Sequence, residues 1–581
     1  MNYRTVALVI LLLAPFSSAC QTEPPPSHVF HGGKIVTVDP QFRIAQAMAV
    51  RDGKVLAVGT DAQMLALAGS GTERIDLGGK TVLPGLNDSH VHAPGAAMYE
   101  FEQPVPDMES IADVLAYIKS RADALKPGEW ITLSQVFITR LNEQRYPTRA
   151  ELDRVAPKHP VAFRTGPDAS LNSLALSVSG INAKFEVPKG APCRVERHPK
   201  TGEPTGILRN CGQFIRSRSS RPAPTEQDRL GRLRDLLADY NAVGITSISD
   251  ANTSDSELEL YRKLREAGEL TCRTFIVLSV DAQAPIEKIA ARIREAAANP
   301  LHQYNDMLWL RGVKTFTDGG MLTGSAYMRE PWGVSSIYSI TDPTYRGVLF
   351  IEPDKLYQIA KLALSNDLQF TSHSQGDAAV SNMLDAYEHI NRDDFPVSDR
   401  RPSITHASFM SADSIARMQK LGVVANLQPA WFYLDGVTLE KQFGAERLAY
   451  FHAYKTLADQ KVTVGGGTDH MQKIGSLRSI NPYNPFLGMW TTVARRPRGS
   501  EKPLHREQSL TREQAIRLYT VNNAYLTFQE DKKGSLEAGK FADFIVLDRD
   551  ILTCPLDEMK DITVDQTYLG GKRIYARASA K

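Results

Sequence analysis

Between residues 28 and 83 apolar and polar positions alternate in short runs: HVFHGGKIVTVD, AMAVRDGKVLAVGT and ERIDLGGKTVLPG. A period of two puts one face of each run in a core and the other in solvent. Pairs such as Asp52-Gly53 and Gly78-Gly79 supply the turns, so the pattern predicts a small antiparallel β unit. GSLEAGKFADFIVLDRD and VDQTYLGGKRIYA, near the other end, repeat it. Residues 28–84 and 530–577 are therefore predicted to form one β-sandwich domain built from both termini.

The middle has a different rhythm. After LNDSHVH, apolar strand candidates recur in GITSISD from 244, CRTFIVLS from 272, LWLRGVKTF from 308, LQFTSH from 368, PSITH from 402, GVVANLQ from 422 and VTVGGGTD from 462. Amphipathic helical stretches fall between most of them, such as SELELYRKLREAG, DKLYQIAKLALSN and SADSIARMQKLG. Counting the first, eight β-then-α units predict an α/β fold, a TIM-like (β/α)8 barrel over 85–529 rather than an open sheet. Residues 93–243 fall between the first two strands and hold helical stretches and a hairpin. This α+β insertion is placed to stand over the barrel mouth.

Composition narrows the function classes. With 581 residues, 42% hydrophobic and 23% charged, the chain can bury a large core. The 68 basic residues nearly balance the 66 acidic ones, and no basic stripe offers a footprint for nucleic acid, so the expected partner is a small-molecule substrate. A homodimer is expected on base rates alone. The first 19 residues read as an export signal, with Arg4 ahead of an apolar run and small residues at the end. Cys20 stands where a bacterial lipoprotein is lipidated, and residues 20–27 read as a tether. Ser17 and Ala19 also fit an ordinary cleavage site. Export to the bacterial periplasm, the outer membrane or the medium is expected, with membrane contact only through a lipid on Cys20. Cys193 and Cys211 lie equidistant from Gly202 in a hairpin around KTGEP, a spacing suited to a disulfide.

The polar residues that close the barrel strands carry the chemistry. His90 and His92 end the first strand and, as i and i+2, share a face. Lys314 lies on the fourth, His373 and His406 end the fifth and sixth, and Asp469 ends the eighth. The C-terminal strand ends form the active face of such a barrel, so these six side chains are predicted to converge. Imidazoles and a carboxylate suit Zn²⁺, with Mn²⁺ and Fe²⁺ as rivals, one or two ions per chain. A lysine is an unusual neighbour for a cation. Desolvated, it can lose its proton and add CO₂ to become a carbamate, an oxygen ligand; a structural pairing with Asp318 is the plainer alternative. His470, directly after Asp469, has either a pocket or a purely supporting role.

LPGLNDSHVH, GVKTFTDGG, SHSQGD, SITHAS, GGGTDH and GSLEAGKFADFIVLDRD, in that order, resemble the amidohydrolase superfamily, and within it the family 3 branch of metal-dependent hydrolases like N-substituted formamide deformylase. The resemblance runs from about residue 28 to 575. It implies a barrel with a two-terminus sandwich, metal on His90, His92, His373 and His406, Lys314 bridging two metals as a carbamate, and Asp469 as general base. Members of the branch commonly carry a D-G-H-A-A-W-V-N-S-like stretch in the insertion. This chain has TGPDASLNS, with Pro167 at the histidine and Ser170 at the tryptophan, so its substrate contacts are expected to differ. Hydrolysis of a non-peptide C–N bond by metal-activated water is the expected reaction. Ring deamination, lactone, ester or organophosphate hydrolysis on the same site, and a non-catalytic exported binding protein, remain alternatives.

Overall fold

Eight parallel strands follow one another around a single sheet in the computed structural model, which describes residues 24–218, 222–472 and 482–578. They are β1 (Leu86–Val91), β2 (Ile245–Thr253), β3 (Arg273–Ser279), β4 (Leu308–Phe316), β5 (Gln369–Ser374), β6 (Ser403–His406), β7 (Val424–Leu427) and β8 (Val464–Gly466). Each pairs with the next in chain order. The ring closes where β1 meets the chain leaving β8: the Asp469 N–H donates to the His90 carbonyl at 2.7 Å and the His92 N–H to the His470 carbonyl at 2.9 Å. This is the (β/α)8 barrel expected from the pattern. The leader over 1–19 and Cys20 lie outside the described residues.

The helices between strands form because their apolar positions recur every three to four residues. Asp255–Glu266 shows this: Leu258, Tyr261 and Leu264 are buried, while Ser254 caps the start by accepting from the Glu257 N–H. The helix Glu226–Ala242 packs Leu233, Leu236, Leu237 and Tyr240 into the barrel's own core. Ahead of it the insertion folds as a five-stranded mixed sheet with helices, its strands ordered Arg194–Arg197, Pro204–Arg209, Asp168–Leu171, Val161–Thr165 and Ile131–Ser134. Cys193 and Cys211 are disulfide-bonded at the base of its hairpin, with Cα atoms 4.9 Å apart.

The sandwich has a four-stranded sheet from the N-terminal segment alone. Its six-stranded sheet takes Lys34–Val36, Ile44–Ala45 and Thr81–Pro84 from one end of the chain and Phe544–Leu547, Val564–Leu569 and Lys572–Ala576 from the other. Phe30 packs edge-on against Phe544 and Tyr568 at 4.8 and 5.2 Å between the sheets. One buried ion pair ties this domain to the barrel floor. Arg273, opening β3, donates to both oxygens of Asp543 at 2.6 and 3.0 Å, and the Gly570 N–H donates to the same carboxylate at 2.7 Å. Removing one partner strands the other charge in the interior. Asp543→Ala is expected to cost about 3 kcal/mol in denaturant unfolding; unchanged stability would remove the pair from the fold's support.

Candidate metal centre

The seam that closes the barrel also builds its mouth. Asp88, two residues before His90, accepts from the His90 N–H at 3.0 Å, the Thr468 N–H at 3.0 Å and the Thr468 hydroxyl at 2.6 Å. Its carboxylate thus bolts β1 to the strand-eight exit, and burial pushes its pKa up to about 7. The glycines of GGGTDH let the two backbones meet. A Cβ on Gly467 would lie 2.8 Å from the His90 Cβ and 2.9 Å from its backbone nitrogen. Two of the candidate ligands hold a left-handed backbone uncommon outside glycine, His406 at φ 75° and Asp469 at φ 54°. Such strain persists where surrounding contacts over-determine it, and it gathers at functional sites.

All six side chains singled out in the sequence come together here. Asp469 Oδ1 lies 3.2 Å from His92 Nε2 and 3.4 Å from His90 Nε2. Lys314 Nζ lies 3.1 Å from His90 Nε2. The His406 ring is 5.2 Å from that of His90 and 4.5 Å from that of His373. His90, His406 and Asp469 each offer a ligand atom, all within 4.8 Å of one another. Lys314 makes no ion pair with Asp318 among the described residues. The Asp318 carboxylate is taken by the N–H groups of Tyr327, Gln375 and Gly376 at 2.8 to 2.9 Å.

The electrostatics suit a cation. Burial holds Lys314 down at about 8 and His373 down at about 3, with Lys314 adding to the latter, and keeps His90 and His406 well below the usual imidazole range. Burial thus disfavours the charged forms of His90, His373, His406 and Lys314. His90 Nδ1 is buried with no hydrogen-bond partner. The ligand atoms of His90, His406 and Asp469, within 4.8 Å of one another, form a donor set that fits a divalent ion.

Supporting residues escaped the sequence reading. Gln428, just past β7, bonds His406 Nδ1 through Oε1 at 2.7 Å, which makes that nitrogen the donor and leaves Nε2 unprotonated. Trp431 stacks on the same ring at 4.9 Å. Asp250 in β2 accepts a hydrogen bond from the Tyr261 hydroxyl, and burial pushes its pKa up to about 7. His470 is fully buried, its Nδ1 2.8 Å from the Tyr240 hydroxyl, and supports the seam from behind. Above the centre opens a cavity of about 780 Å³. The barrel lines it with Lys314, His373, His406 and Asp469, and the insertion adds Tyr99, Phe137, Pro167 and Asn210. Pro167 thus stands in the wall, where the altered TGPDASLNS stretch was expected to act.

The model of a family described as the Amidohydrolase family matches residues 73–575. An N-substituted formamide deformylase from Arthrobacter pascens is 29% identical over 560 residues, covering 94% of this chain and 97% of that protein. The crystal structure of an uncharacterized metal-dependent hydrolase from Pyrococcus horikoshii OT3 superposes with a TM-score of 0.64 at 24% identity, covering 91% of this chain and 99% of that one. An atrazine chlorohydrolase from Arthrobacter aurescens TC1, complexed with zinc, gives 0.53 at 15% identity over 94% and 95% of the two chains. At these identities the two structures speak for the fold.

The Gln428 bond generates a test. Partners that fix a ligating imidazole's tautomer are worth roughly 10- to 100-fold in metal affinity. Gln428→Ala is expected to weaken Zn²⁺ binding by that factor in a chelator competition, and undiminished affinity would count against His406 as a ligand.

Proposed function

Because the chain belongs to the amidohydrolase family, we propose that it hydrolyses a non-peptide C–N bond, in an amide, N-substituted formamide, imide or related group, with His90, His92, Lys314, His373, His406 and Asp469 holding a divalent ion. The observation that carries this reading is the convergence of those side chains at the floor of a cavity large enough for a small molecule. Zn²⁺ is the proposed metal, supported by the zinc in the chlorohydrolase and by the nitrogen-rich donor set. Two ions are proposed only with Lys314 carboxylated, and a pKa pushed down to about 8 by burial supports that chemistry by raising the share of free amine.

When bound, the ion supplies a Lewis acid for the carbonyl oxygen and brings the pKa of water toward neutrality. The chain's own residues handle the protons. Asp469, buried with its Oδ1 beside His90 and His92, accepts the proton of the attacking water. It then delivers that proton to the departing nitrogen, which cannot leave as an anion. The walls, with Tyr99, Phe137 and Trp431, exclude competing water and hold the substrate's apolar part. Export and a lipid on Cys20 belong to the same proposal. The Cys193–Cys211 disulfide supports an oxidising compartment.

Asp469→Asn tests the reading, because it keeps the shape and an oxygen while removing the proton acceptor. With a panel of N-formyl, N-acyl and imide substrates, the variant is expected to retain metal while amine release falls roughly 10²- to 10⁴-fold. Near-normal turnover in the variant would contradict the role of Asp469. Metal-loaded wild-type protein that releases neither amine nor ammonia from any member would contradict C–N hydrolysis.

A further inference from the structure

Asn210, on the cavity wall across from the barrel residues, is held with unusual redundancy. It is a non-glycine residue at φ 50°. Its backbone N–H donates to Asp168 Oδ1 at 3.0 Å and its side-chain Nδ2 to the Pro192 carbonyl at 2.7 Å. Both neighbours in the chain are pinned as well. Arg209 is fully buried and donates to the carbonyls of Thr323 at 2.7 Å and Tyr338 at 2.6 Å. Cys211 is tied to Cys193. A strained backbone fixed by five separate contacts marks a position whose placement matters.

The contacts also settle which way the carboxamide faces. A peptide carbonyl can only accept, so the nitrogen end of Asn210 must point at Pro192. The oxygen end is left with no partner among the described residues, while the residue itself lines the cavity. The rest of the wall matches an uncharged acceptor. Its other polar groups away from the centre include the carboxamides of Gln135, Asn252 and Gln283 and the carboxylate of Asp281. Lys314, at the centre itself, is the one lysine or arginine among the described lining residues, so the described walls away from the centre offer an anionic group no counter-charge.

We infer that Asn210 determines specificity: its side-chain oxygen accepts a hydrogen bond from an N–H or O–H group on the substrate, which is a neutral or cationic amide bearing that donor away from the scissile bond. The inference rests on the C–N hydrolase reading for the identity of the scissile bond, but the hydrogen bond itself does not depend on turnover. It also gives the altered TGPDASLNS stretch a consequence, since Asp168 from that stretch holds the Asn210 backbone in place.

Matched probes separate the two ideas: ω-hydroxyalkyl, n-alkyl and ω-carboxyalkyl formamides of equal and graded chain length. Each is measured for KM, kcat and, by calorimetry on the metal-loaded protein, Kd. The wild type is expected to favour the hydroxyl probe about 5- to 10-fold in KM and Kd within one window of length, the scale of one net hydrogen bond, and to bind the carboxylate probe worst. Asn210→Gly adopts the left-handed turn without steric cost, so it removes the carboxamide and its bond to the Pro192 carbonyl while the backbone N–H bond to Asp168 can remain. In that variant the hydroxyl preference is expected to vanish, leaving equal KM and Kd for the hydroxyl and alkyl probes of matched length. A preference that survives in Asn210→Gly, an equal loss for hydroxyl and alkyl probes, the absence of any preference in the wild type, or tightest binding of the carboxylate probe would overturn the inference. Hydroxyl-selective binding with no turnover of any probe would sink the hydrolase reading and leave Asn210 standing.

Discussion

The barrel depends on the line where its first strand meets the chain leaving its eighth. Seven of the junctions in the ring are strand ladders, but this one is made by two backbone hydrogen bonds at the mouth and a carboxylate that reaches across. Asp88 accepts from both sides of the seam, and Gly467 lets the backbones approach to a distance that any side chain would forbid. His90 and His92 stand on one side of that line and Asp469 on the other. Closing the barrel and assembling half of the candidate centre are therefore one event, and a change that loosens the seam separates the ligands.

The centre concentrates costs that a structural core would avoid. A lysine and several imidazoles are buried together, and low polarity drives them toward their neutral forms instead of toward ion pairs. His406 and Asp469 hold left-handed backbones at the strand ends. Around them the supports are specific: Gln428 fixes one ring's tautomer, Trp431 packs its face, and Tyr240 holds His470 behind the seam. An arrangement that is unfavourable alone and yet well braced is what a cation-binding site of neutral donors requires.

Much of this was legible in the chain. Period-two alternation at both ends gave the sandwich, and eight apolar runs separated by helical stretches gave the barrel, because both signals follow from which face is buried. The six centre residues stood out because five fall at the ends of strands argued from their apolar runs and Lys314 lies within one. Asp88 was not, although it lies inside the DSHVH motif: its role depends on Thr468, 380 residues away in the chain. Gln428 acts on His406 through a neighbouring strand, and no spacing along one strand encodes that contact. The hairpin disulfide pairs as its symmetry about Gly202 suggested, although the ladder slips between Arg194↔Arg209 and Arg197↔Pro204. The five-stranded sheet of the insertion was not legible either: Asp168–Leu171 pairs with Pro204–Arg209 and leaves Arg194–Arg197 at the edge, an order that no spacing encodes.

The central claim is that the strand ends of this barrel hold a divalent metal. Anomalous diffraction from crystals of the zinc-loaded protein, collected on either side of the zinc absorption edge, tests it most directly. The account predicts one or two peaks enclosed by His90, His92, His373, His406 and Asp469, with extra density on Lys314 Nζ if there are two. A cluster free of anomalous signal, in crystals shown to contain zinc bound elsewhere on the protein, would contradict it.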